Sequence, residues 1–172
     1  MQTFSRKKIR GHNRKLQQLD DWKNSILKFP SDKFGFNPGQ IFRLHLSPFH
    51  CFGYINLQGK FHRHLYKAYN EILKGLKDNQ TIKDKGLIVQ LWLFYPRTIR
   101  SLVIVAPKDK YDKRNSQVNA KDTNDNPPRL IRQSFKNKNW KIGEDNNFSM
   151  ADQNSDEPIW LTHRQGDIWI TE

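Results

Sequence analysis

One cysteine, Cys51, occurs in 172 residues, so no disulfide can form within the chain, as expected of a reducing compartment. Long apolar runs are missing as well. The longest, Leu87 to Phe94, has eight residues and includes Gln90, far short of the about 20 that a membrane-spanning helix needs. Met1 to Arg10 is basic with no apolar stretch behind it, and so does not read as a secretory signal. These features lead to the expectation of a soluble, cytoplasmic protein without membrane insertion.

Chemical signatures are equally sparse. There is no CxxC or HExxH spacing, and Gly35 to Gly39 lacks the Lys-Ser/Thr ending of a phosphate-binding loop. His45, His50, Cys51, His62 and His64 are a local group of nitrogen and sulfur ligands. His62 and His64, however, diverge by about 200° on a helix and cannot share one ion. No metal and no cofactor are therefore expected. Recognition motifs for nucleic acid are missing too: no RNP-type strand, zinc-finger spacing, GxxG clamp or helix-turn-helix stands out.

What the chain does have is positive charge. Lys and Arg number 30 against 17 Asp and Glu, a net +13, with a pI near 9.9. The excess is uneven: residues 1–142 carry +19 and residues 143–172 carry −6. Such a balance fits a polyanionic partner, since Lys and Arg gain affinity by releasing the counterions of a phosphate backbone. With 35% hydrophobic and 12% aromatic residues, the chain can still build a core.

Periodicity outlines that core. Leu16, Leu19, Trp22, Ile26 and Phe29 recur at helical spacing, predicting a helix from about Asn13 to Phe29 after Gly11 breaks it from a basic arm. Gln40 to Leu46 alternates, with Phe42, Leu44 and Leu46 on one side and Ile41, Arg43 and His45 on the other, as in a half-buried strand. Lys60 to Lys77 is strongly amphipathic. Phe61, Leu65, Ala68, Tyr69, Ile72 and Leu76 form its apolar face, opposite Arg63, Lys67, Asn70, Lys74 and Lys77. Leu87 to Phe94 reads as a central strand and Ile99 to Ala106 as its return across the Tyr95-Pro96-Arg97-Thr98 turn. The Lys/Asn/Asp-rich stretch around 108–128 reads as a long exposed loop, after which Trp140 and Ile142 rejoin the core. Ile159 to His163 and Ile168 to Thr171, flanking Gln165-Gly166, read as a hairpin that sets Trp160 and Trp169 diagonally on one face.

This order implies an α+β fold: two helices packed on one face of a mixed four- to six-stranded sheet, with a long polar loop and a C-terminal β-hairpin. Residues 1–12 form a basic N-terminal arm and 13–172 a single domain. The helix between strands 41–46 and 87–94 permits a parallel crossover.

Three functions follow as expectations. In the first, a small basic protein binds nucleic acid, RNA or single strands in preference to duplex DNA. Arg6, Lys7, Lys8, Arg10, Arg14 and Lys15 would track phosphates, Arg63, Lys67, Lys74 and Lys77 would extend the track, and Arg43, His45 and His50 would sit at its centre. Rings such as Phe49, Phe52, Tyr54, Tyr66, Tyr95 and Tyr111 could stack on bases. In the second, the basic surface serves an acidic protein partner, as a complex component or one member of a toxin–antitoxin or defence pair. The third is a metal-independent ribonuclease using His45 with His50 or His163, assisted by Arg43 and approached by Arg63 or Lys67. His45-Leu46-Ser47 resembles half of the His-x-Ser/Thr pair of the two-histidine phosphoesterases. Thr162-His163 has the reverse order, and the family is not carried over.

Overall fold

The computed structural model describes residues 11–28, 41–48, 59–95, 101–111, 121–122, 126–136, 138–144 and 167–172. Helix α1 spans His12–Leu27. Gly11 starts it with φ +78°, a left-handed conformation that suits glycine, and its carbonyl accepts from the Lys15 amide at 3.0 Å. Strand β1 is Phe42–Leu46 and helix α2 is Gly59–Asp78, both within two residues of their expected limits. A short α3, Gln80–Asp84, follows; the Asn79 side chain caps it by accepting from the Ile82 amide at 3.2 Å. Gly86, at φ +59°, then turns the chain into β2, Ile88–Tyr95, which returns as β3, Ser101–Ala106. The remaining elements are β4 at Lys121–Asp122, α4 at Arg129–Ser134, β5 at Lys141–Glu144 and β6 at Asp167–Thr171.

The expected α+β class holds. The six strands form one sheet in the order β1-β3-β2-β6-β5-β4, and every described pairing is antiparallel, where a mixed sheet was anticipated. β3 pairs with both β1 and β2, so those two strands run the same way on either side of it, and α2 carries the chain across. The crossover exists, but β3 occupies the position where direct parallel pairing would have formed. β6 pairs with β2 through residues 167–171 and with β5 through residues 167–170. Both of its edges are therefore filled. Residues 159–163, the other arm of the expected hairpin, lie outside the described residues.

Alternation in the strands sorts the core onto the two sheet faces. Phe42, Leu44, Leu46, Val89, Leu91, Leu93, Val103, Val105 and Trp169 face the helices. They meet Leu65, Tyr69, Ile72 and Leu76 of α2, each at most 4% exposed, and each such burial is worth about 1.5–3 kcal/mol. α2 is buried more widely than one face predicts, since Tyr66 and Leu73 are also inside. The reason is lateral packing: α1 lies against one flank of α2 and α4 against the other. Tyr66 meets Phe135 with ring centroids 6.4 Å apart, and Phe135, Trp140 and Trp169 continue in edge-to-face contacts.

The second face is apolar too. Trp92, Phe94, Leu102, Ile104, Ile168 and Ile170 are all at most 1% exposed. Gln90 is buried among them, accepting from the Trp92 indole N–H. Residues 108–111, in the stretch expected to be an exposed loop, form a helical turn whose Tyr111 joins this second cluster, and Lys121–Asp122 pair with β5. Those two pieces of the expected loop are structure: the buried Tyr111 ring holds the first and backbone pairing with β5 holds the second. Tyr111 and Tyr66 are thus core rings, not exposed platforms for bases.

Candidate nucleic-acid interface

α2 carries an extended row of cations among the described residues. Arg63, Lys67, Lys74 and Lys77 fall within an arc of about 80° and extend along about 21 Å of helix, with Asn70 among them. Arg63, Lys67 and Lys74 are exposed and Lys77 is half-buried. The row stands on the outer side of α2 because its apolar face is committed to the sheet.

Neighbouring helices shape its two flanks. On the α1 side, Lys23 reaches across to Glu71, Nζ to Oε2 at 2.6 Å, and also to Asp20 of its own helix at 3.2 Å. Hydrogen bonding to Glu71 raises the Lys23 pKa above the ordinary lysine value, against the opposing effect of burial. Lys67 lies 3.8 Å from the other Glu71 oxygen. The acid nearest the row is therefore already engaged by α1. Among the described residues, Arg63, Lys74 and Lys77 have no carboxylate within ion-pair distance.

On the α4 side, the Asn70 amide donates to the Ser134 carbonyl at 3.3 Å, tying α2 to the end of α4. Lys138, just beyond, lies within reach of the Lys77 charge and donates to the Glu172 main-chain oxygen at 2.8 Å. Burial, with the Lys77 charge added, lowers the Lys138 pKa below the ordinary lysine value. Sequence did not single out Lys138. Its place in the row depends on a chain reversal after α4, which no local pattern records.

A cavity of about 600 Å³ opens between α1 and α2. Leu16, Leu19 and Ala68 supply apolar wall, Lys23 and Glu71 an ion pair, and Lys67 is shared with the cationic row.

The other sequence candidates separate. Arg14 is exposed on α1, whereas Lys15 is half-buried with Nζ 5.9 Å from the centre of the Phe61 ring. Arg6, Lys7, Lys8, Arg10, His50 and His163 lie outside the described residues, as do Phe49, Phe52 and Tyr54. Arg43 and His45 lie opposite Ile104 and Leu102 in the register, on the second sheet face. The sheet thus stands between them and α2. Arg63 and Lys67 do not approach His45 as anticipated, because α2 packs on the Leu44 and Leu46 side. For the same reason Arg43 and His45 are not the centre of the α2 row. His62 is half-buried beside Tyr66, with ring centroids 6.1 Å apart, and His64 is exposed. No group of three or more His, Cys, Asp or Glu suited to a metal occurs among the described residues, and no described helix is long and apolar enough to cross a membrane.

No protein-family model matches this chain, and no curated protein or solved structure matches it either.

Proposed function

We propose that this chain is a nucleic-acid-binding protein that holds the phosphate backbone along α2, with RNA or another single strand as its ligand. The observation that carries this reading is the uncompensated row of Arg63, Lys74 and Lys77. Glu71, which would have neutralised the row, is turned toward Lys23. Ordinary solvated helix faces intersperse both signs. Here the cations continue sideways toward Lys138, whose charged form is disfavoured first by burial and then by the Lys77 charge, and an anion held between them would favour it. α2 itself is wedged between α1 and α4. It therefore meets a backbone from outside and does not enter a duplex groove as a recognition helix does.

The test is a titration of labelled single-stranded RNA, after nuclease and high-salt purification, at two salt concentrations. Four phosphate contacts give a slope of log K against log salt of about −3 for a single strand. The double variant Lys74→Glu with Lys77→Glu is expected to lower affinity at least tenfold and to flatten the slope by about 1.4, with an unchanged melting curve. Binding that survives charge reversal undiminished rejects the α2 track. No binding at low salt rejects the nucleic-acid reading and turns attention to an acidic protein partner.

A further inference from the structure

Resting on that reading, we propose that the cavity between α1 and α2 receives an unpaired nucleobase from a strand whose phosphates lie on the α2 row. Three observations converge on this. The first is continuity: Lys67 belongs both to the row and to the cavity wall, so a strand held there has its next group at the opening. The second is charge. Asp20 and Glu71 offset Lys23 and Lys67 in the wall, so these four charges sum to zero beside a strongly cationic row, and His64 is the remaining titratable side chain of the lining. A phosphate therefore gains less there than on the uncompensated row, whereas a neutral heterocycle loses nothing by entering.

The third is the mixture of surfaces. Leu16, Leu19 and Ala68 offer apolar contact to a ring face, and the Asn24 amide and the Gln17 side-chain carbonyl, whose amide nitrogen donates to Asp21, supply polar groups for base edges. At about 600 Å³ the cavity falls within the usual size of small-molecule sites. Backbone held on the row and base turned inward is the arrangement expected of a reader of single strands. A duplex, whose bases are already paired and stacked, cannot use the cavity.

The experiment compares three ligands of equal phosphate count: single-stranded RNA, a strand of abasic residues of the same length and an RNA duplex of half that length. Wild type is expected to bind the RNA strand about tenfold or more tightly than the abasic strand. Ala68→Leu, which projects into the cavity, is expected to abolish that difference while leaving the salt slope intact. Should Ala68→Leu lower the melting temperature, Asn24→Met at the exposed rim serves the same purpose. Equal affinity for RNA and abasic strands overturns the base site while leaving the phosphate track standing. A preference for bases that persists in both filled variants also overturns it. Failure of all three ligands to bind at low salt overturns the underlying nucleic-acid reading as well.

Discussion

Lys138 sits half-buried beside Lys77, and its pKa is held down first by burial and then by its neighbour's charge. The folded value is below the unfolded one, so the charged form opposes folding at neutral pH. That opposition fades as pH climbs through the folded value toward the unfolded value, so the contribution of this residue to stability rises across that alkaline window. Two changes should move the Lys138 pKa upward: Lys77→Gln, which removes the neighbouring charge, and addition of single-stranded RNA, which supplies an opposite one. Lysine-resolved NMR titration reads both. A Lys138 signal indifferent to RNA would place the backbone away from this end of α2. Residue identity alone could not have revealed this pair, since Lys77 and Lys138 are 61 positions apart and meet only through α4.

Elements were the most legible level. The pattern of α2 named six of its buried residues correctly, and alternation in β1 separated Phe42, Leu44 and Leu46 from Arg43 and His45 on the right faces. Short pieces escaped notice, because α3, β4 and α4 are too brief for periodicity to speak and depend on Asn79 capping or on packing. The contact between α1 and α2 was likewise invisible. It rests partly on Gly75, where a Cβ would stand 2.5 Å from Leu27 Cδ2. Leu27 is 37% exposed and free to rotate outward. Gly75→Ala gains about 1 kcal/mol of helix propensity and loses about 0.5–1.5 kcal/mol in the displaced Leu27 rotamer. The sum is expected within about 0.5 kcal/mol of zero by urea unfolding. A loss above 2 kcal/mol would mean that α1 and α2 cannot tolerate even this adjustment.

At the scale of the whole molecule, class and helix placement were readable, but strand order was not. Hydrophobic pattern says that β2 is buried on both sides; it does not say that β6 is its neighbour, because pairing partners are chosen by tertiary geometry. The near-continuous apolar run of β2 read as a central strand and is matched by burial on both faces, and the second face has a measurable weight. Leu102→Ala, on the side away from the helices, is expected to cost about 2–5 kcal/mol, as much as Leu65→Ala beneath α2. Chemical denaturation compares them directly. A cost below 1 kcal/mol for Leu102→Ala would demote that face to a superficial layer. The candidate site was half legible: the cations of α2 came from spacing, whereas the engagement of Glu71 by Lys23 and the cavity beside it needed α1 in place.

The position of β6 has a consequence for assembly in time. It is the last described strand to be synthesised, yet it stands between β2 and β5. Until it arrives, the ribbon β1-β3-β2 and the pair β4-β5 have no strand to join them, and β2 and β5 each present a row of open amides and carbonyls. Insertion of five residues then zips both seams at once. The nascent chain is thus exposed to a wrong strand filling that slot, and a separate peptide carrying residues 167–172 is the natural competitor for the same place.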